Sequence, residues 1–218
     1  MICLVTDRRR LSTGTDDSDR LVDLVAAAAR AGIDLIQIRE RDLDARRLIA
    51  LVRRCVEAAE GTGTKVLVND RADVVVAAGA HGVHLRGDSV AASAARSLIG
   101  DGALIGRSVH RADEARAVSD AGGVNYLIFG TLYPTPSKKP AHPVTPLDEL
   151  SVACKEGVPV LAIGGITVER AAESVRAGAA GIAGISLFVP PAGTSADRHL
   201  QTITAELRRA FDTCGAVS

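Results

Sequence analysis

Short apolar runs rich in Val, Ile and Leu alternate with longer stretches of Ala, Arg and Glu along the whole chain. The runs are MICLVTD, DLIQIR, KVLVND, GVHLR, LIGRSVH, NYLIFG, VPVLAIGG and GIAGISLF. Most are separated by enough chain for one helix. Near-continuous apolar runs of this length suit strands buried on both faces, and the stretches between them suit amphipathic helices. Eight such strands with right-handed helical crossovers predict an α/β fold: a single (β/α)8 TIM barrel spanning residues 1–218. An open doubly wound sheet fits the same alternation. However, no GxGxxG follows the first run, and eight is the strand number at which a parallel sheet closes around its own side chains.

A weak internal repeat points the same way. AGIDLIQIR (31–39), AGAHGVHLR (78–86), AGGVNYLIFG (121–130) and AGAAGIAGI (177–185) each place Ala-Gly a few residues before an apolar run. The glycine reads as the left-handed residue that ends a helix, and the run after it as the next strand. The one long irregular stretch is TLYPTPSKKPAHPVTP (131–146), whose prolines prevent a regular helix at its start. A long loop in a compact barrel is usually functional. At the other end, GAVS (215–218) is expected to be a disordered tail.

Composition narrows the function. Hydrophobic residues make up 47% of the chain but aromatics only 2%, so small branched side chains must build the core. The 26 basic and 26 acidic residues cancel, which removes the electrostatic case for nucleic acid or an anionic membrane as main partner. Cys3, Cys55, Cys154 and Cys214 are far apart and form no CxxC, so buried reduced thiols are expected rather than zinc or disulfides. The start, MICLVTDRRR, puts charge after the apolar run, the reverse of a signal peptide, and no segment has the ~18 apolar residues of a membrane span. A cytoplasmic protein is expected. If it self-associates, a homodimer is the default.

The active site of such a barrel lies at the C-terminal strand ends. Those ends carry Asp7, Gln37 with Arg39, Asn69 with Asp70, Arg86, Ser108 with His110, Gly130, Gly164 with Gly165, and Ser186. Asp or Asn capping the next helix is the ordinary alternative for any one of them. Polar residues at most of the eight strand ends together, with Gln and Arg among them, favour a site. IGGIT (163–167) and GISLF (184–188) resemble a phosphate cradle, in which Gly164, Gly165, Gly184, Ile185 and Ser186 offer backbone N–H groups near helix starts. PTPSKK adds Thr135, Ser137 and Lys138, suited to a second anionic group unless the loop is merely solvated.

IQIRERDL, VLVNDRADVVVAAGAHGVHL, YLIFGTLYPTPSKK and VLAIGGIT together resemble the thiamine phosphate synthase superfamily, which includes TenI-type thiazole tautomerases. The resemblance runs over nearly the whole chain. It implies a (β/α)8 barrel acting on thiazole phosphates in thiamine biosynthesis. It also leaves two activities open. A synthase joins an aminopyrimidine-methyl diphosphate to a thiazole phosphate, with Mg²⁺ assisting departure of diphosphate. A tautomerase moves one proton to aromatise a thiazole carboxylate phosphate and needs an acid/base group but no cofactor.

Under this resemblance, Gln37, Arg39, Asn69, Ser108 and Lys138 match substrate-binding positions and Asp70 matches the first metal carboxylate. Arg41 stands where the pattern has Lys, which keeps the charge but changes its geometry. Ser89 stands where the pattern has its second metal carboxylate, leaving neighbouring Asp88 as a displaced substitute. GRSVH looks like the tautomerase form of the fifth strand end, which makes His110 the proton carrier, with Arg86 and Arg107 suited to a ligand carboxylate. The tautomerase is therefore the first expectation and the synthase the second. A non-catalytic phosphate-ligand sensor on the same barrel is a third. Among the other histidines, His84 is expected to pack or hydrogen-bond within its strand, and His81, His142 and His199 to be solvated.

Overall fold

The computed structural model describes residues 1–11, 17–135 and 143–215. Its strands are β1 (Ile2–Val5), β2 (Leu35–Ile38), β3 (Lys65–Asn69), β4 (Gly82–Leu85), β5 (Leu104–Val109), β6 (Tyr126–Phe129), β7 (Val160–Ile163) and β8 (Gly181–Gly184). They alternate with helices α1 (Ser18–Arg30), α2 (Ala45–Ala58), α3 (Ala72–Ala78), α4 (Ala92–Ile99), α5 (Ala112–Ala121), α6 (Leu147–Ala153), α7 (Val168–Arg176) and α8 (Ala196–Gly215). Each strand pairs in parallel with the next, and β1 pairs with β8 to close the barrel.

The period-2 alternation of side chains explains why the runs are apolar at nearly every position. Cys3, Val5, Leu35, Leu67, Ile128 and Leu161 fill the barrel interior, while Ile2, Leu4, Ile36, Val66 and Val68 face outward into the packing beneath the helices. The four repeated Ala-Gly joints behave as expected, with φ of +79° at Gly32, +70° at Gly79, +68° at Gly122 and +105° at Gly178.

Three expectations need correction. The run GIAGISLF is strand only to Gly184; Ser186–Phe188 form a 3₁₀ turn. Gly215 still belongs to α8, and the remainder of the expected tail lies outside the described residues. His81 and His199 are not simply solvated: His81 Nδ1 accepts from the Val66 N–H at 3.1 Å, and His199 Nε2 donates to the Leu187 carbonyl at 3.0 Å. His142 lies outside the described residues. The thiols of Cys3, Cys55 and Cys154 are free, and burial pushes them up to about 12, 12 and 11; the Cys214 side chain lies outside the described residues. No helix among the described residues is long and apolar enough to cross a membrane.

Candidate active site

A cavity of about 1030 Å³ opens at the C-terminal ends of the strands. Of the expected site residues, Gln37, Arg39, Arg41, Asn69, Arg86 and Asp88 line it from β2 to the loop after β4. Arg107, Ser108, His110 and Thr135 line it from β5 to the loop after β6, and Gly164, Gly165, Gly184, Ile185 and Ser186 complete it. Asp70 lies behind Arg86, while Ser137 and Lys138 fall outside the described residues. Among the described residues, the side chains that cap helices are Asp44, Thr167 and Ser195, none of them a strand-end candidate. Helix capping therefore does not account for the polar strand ends.

At the β1 and β2 ends a buried network supports the rim. Thr6 Oγ1 donates to Glu40 at 2.6 Å, and the Arg8 guanidinium bonds both Glu40 at 3.0 Å and Asp42 at 2.5 Å. Burial raises the Glu40 pKa against the opposing pull of the Thr6 and Arg8 hydrogen bonds, whereas Arg8 holds the Asp42 carboxyl well below the usual range. Thr6 Oγ1 also accepts the Arg39 backbone N–H at 2.9 Å, which fixes the start of the rim. Above this base, the side chains of Arg39 and Arg41 have no hydrogen-bonded or ion-paired partner among the described residues. Burial and then Arg41 lower the Arg39 pKa. Thr6, Arg8 and Glu40 carry little signal in the sequence beyond an acid between arginines in IRERD.

The β3 to β5 side is built differently. Gln37 Nε2 donates to Asn69 Oδ1 at 3.2 Å, joining two strand ends through their amides. Asp70 is the one non-glycine residue with positive φ, +60°, among the described residues. Its carboxylate accepts from the Ser89 hydroxyl and lies 3.2 Å from Arg86 Nε. Arg86 also grips Asp88 with two bonds of 3.0 Å. The expected substitution of Asp88 for Ser89 is thus absent from this arrangement: the 76% exposed Asp88 side chain sits on Arg86, and Ser89 itself reaches Asp70. Arg107 also departs from expectation. Its guanidinium donates to the carbonyls of Val90 at 2.8 Å, Gly87 at 2.9 Å and Ser89 at 3.0 Å, so it clamps the loop rather than offering its donors to a ligand.

His110 follows β5. Its backbone N–H donates to Glu114 at 2.7 Å, and its Nδ1 bonds the Gly130 carbonyl. A carbonyl only accepts, so Nδ1 carries a proton and Nε2 is the nitrogen without a protein partner among the described residues.

Across the cavity, the glycine pair lets the loop after β6 approach β7. A Cβ on Gly164 would lie 2.5 Å from Thr131 Cγ2, and one on Gly165 would lie 2.6 Å from the Pro134 carbonyl oxygen. Arg170 donates to the Gly165 carbonyl at 2.7 Å while stacking 4.6 Å from the Tyr133 ring centroid, holding the turn in place. The N–H groups of Gly165, Ile166 and Ser186 have no hydrogen-bond partner among the described residues. Unpaired N–H groups close to helix starts are the kind of donor that an anion can accept from.

Comparison with known proteins agrees with this geometry. The family model described as thiamine monophosphate synthase matches residues 2–188. A putative thiamine-phosphate synthase from Geobacter sulfurreducens is 42% identical over 188 residues, 85% of each chain. A thiamine-phosphate synthase from Roseiflexus castenholzii is 39% identical over 210 residues, covering 94% of this chain and 89% of the relative. Among solved structures, a thiamine phosphate pyrophosphorylase from Pyrococcus furiosus superposes with a TM-score of 0.79 at 27% identity, covering 98% of this chain and 96% of that one.

Proposed function

Because the chain belongs to the thiamine monophosphate synthase family, we propose that it is a thiamine-phosphate synthase, joining an aminopyrimidine-methyl diphosphate to a thiazole phosphate with release of diphosphate. This reverses the order of expectation drawn from Ser89 and His110, and the names of the relatives support the reversal. The observation that carries the reading is the pair Arg39 and Arg41. Two guanidinium groups at the cavity wall, neither hydrogen-bonded nor ion-paired among the described residues, face the nearby Asp7 and Glu40 carboxylates only at longer range, so their donors are available to an anion of high charge. A diphosphate has that charge. The cradle formed by Gly165, Ile166 and Ser186 takes the single phosphate of the thiazole.

Asp70 and Ser89 fit Mg²⁺ in a restricted way. One carboxylate and one hydroxyl are a sparse protein donor set, but Mg²⁺ is often bound through one or two carboxylates and completed by phosphate oxygens and water. Asp88 would join them only after leaving Arg86. The ion, when bound, supplies charge neutralisation to the departing diphosphate. Arg39 and Arg41 orient that same group, Gln37 and Asn69 offer amide contacts to a ring, and the thiazole nitrogen attacks the methylene carbon as the diphosphate leaves.

A second reading, the metal-free tautomerase, is favoured by one observation: the Nε2 of His110 at the cavity wall, without a protein partner among the described residues. Two turnover assays on one metal-stripped sample separate them. The first offers the non-aromatic thiazole carboxylate phosphate without metal, and the second offers the pyrimidine diphosphate and aromatic thiazole phosphate with Mg²⁺ restored. Mg²⁺-dependent thiamine phosphate formation is expected. Metal-free aromatisation abolished by His110→Ala, with no thiamine phosphate formed, would replace the synthase with the tautomerase.

A further inference from the structure

At the cavity floor, three polar side chains interrupt the apolar barrel interior. His84 on β4 is buried, with Nδ1 3.1 Å from the Tyr126 hydroxyl on β6 and Nε2 2.9 Å from Ser108 Oγ on β5. Tyr126 reaches across because Gly106 stands beside it on β5; a Cβ there would lie 2.1 Å from the tyrosine Cζ. Ser108 is the member of the group at the end of its strand, and both Ser108 and His84 line the cavity.

The Ser108 to His84 distance is that of a nucleophile and its base, but the chemistry differs. Burial lowers the His84 pKa to about 3, and Nδ1 faces a phenol rather than a carboxylate. Such an imidazole does not activate a serine. What the trio does determine is the direction of proton donation. A neutral imidazole has one N–H and one acceptor nitrogen. The buried Tyr126 hydroxyl stays protonated, since burial raises its pKa, and it has no other partner among the described residues. Leaving that donor unbonded would cost on the order of 1–3 kcal/mol, so it donates to Nδ1. The ring proton is then on Nε2 and is donated to Ser108 Oγ. The serine's own proton remains for the cavity.

We infer that Tyr126 and His84 are positioning residues that commit Ser108 to donate its hydroxyl proton to the ligand. The ligand atom that Ser108 meets is therefore an acceptor, either a diphosphate oxygen or an unprotonated ring nitrogen. The inference rests on the proposed function for the identity of that ligand, whereas the proton's place on His84 is a property of the free protein and is tested there.

Nitrogen-15 NMR of the free, histidine-labelled protein reads it directly. His84 is expected to show a protonated Nε2 and an unprotonated, hydrogen-bonded Nδ1, with the Nδ1 resonance moving downfield in Tyr126→Phe as its donor is lost. A proton on Nδ1 in the wild-type protein would overturn the inference whatever reaction the enzyme catalyses. Kinetics supply the second readout. His84→Leu is expected to lower kcat/KM about tenfold, the effect of one ordinary hydrogen bond, while His84→Gln, which keeps an acceptor and an N–H, stays within about threefold of wild type. Equal losses in the two variants would reduce His84 to a packing residue. Ser108→Ala distinguishes the acceptors: weaker binding of inorganic diphosphate identifies a diphosphate oxygen, and unchanged diphosphate binding with a raised KM for the pyrimidine substrate identifies the ring nitrogen. No change in either would remove Ser108 from ligand contact and overturn the inference.

Discussion

Four of the arginines at the cavity mouth form two pairs, one on the β2 side and one on the β4 and β5 side, that are used in opposite ways. On the β2 side, Arg39 and Arg41 stand over a buried Thr6, Arg8 and Glu40 network tied to the exposed Asp42, and have no side-chain partner of their own among the described residues. On the β4 and β5 side, Arg86 pairs with Asp70 and Asp88, and Arg107 is bonded to three backbone carbonyls. The four look alike in sequence. A cation whose donors are already satisfied shapes a loop, whereas one left beside another cation is set to bind an anion.

The sharpest way to break this comparison is Arg39→Ala. It is expected to reduce kcat/KM about 100-fold in steady-state assays, the loss of about 2–3 kcal/mol expected for charge-assisted contacts to a phosphate group, with little change in melting temperature. An activity loss no greater than that of Arg107→Ala would erase the distinction between the two sides. Arg107→Ala itself is expected to act on stability, costing about 1–3 kcal/mol by freeing the loop carbonyls that it holds. Arg107→Lys should recover little of this in thermal unfolding, because an ammonium cannot reproduce the guanidinium fork.

Ser89→Asp sharpens the comparison from the metal side. A second carboxylate near Asp70 is expected to tighten Mg²⁺ binding in the absence of substrate by about tenfold, read by calorimetric titration. Unchanged affinity would place the ion away from Asp70. The smallest effect concerns the base of the β2 side. Arg8 lowers the folded pKa of Asp42, so the folded state binds fewer protons than the unfolded chain, and the stability this contributes above about pH 4 is lost as the pH falls further. Wild type should therefore lose more melting temperature between pH 7 and pH 3 than Asp42→Asn does, by an amount worth less than about 1 kcal/mol after solvent screening. Parallel curves for the two proteins would remove Asp42 from the acid response.

The candidate site was legible as a set of strand ends, because in a parallel barrel every strand delivers its C-terminal residues to the same face. Ser108, His110, Asn69 and the glycine pair were expected on that ground, and all of them line the cavity. Arg107 lines the cavity too, but the sequence shows only a charge at a strand end and not the carbonyls that turn toward it after the loop folds. Glu40 and Tyr126 were missed for a related reason. Each acts through partners far away in sequence, Glu40 through Thr6 and Arg8, and Tyr126 through His84.

The sequence by itself determined the barrel, since burial on both strand faces imposes apolar runs, which recur eight times, and helix endings favour glycine, which recurs at four Ala-Gly joints, and both are local patterns along the chain. It also determined which residue types meet at the mouth and the family they resemble. Only the tertiary structure decided which charges are satisfied and which remain available, that Ser89 rather than Asp88 lies on Asp70, and that His84 has a phenol on one nitrogen and a serine on the other. Those facts depend on distances across the barrel, where side chains tens of residues apart compete for the same few donors and acceptors, and no periodicity along the chain records the outcome.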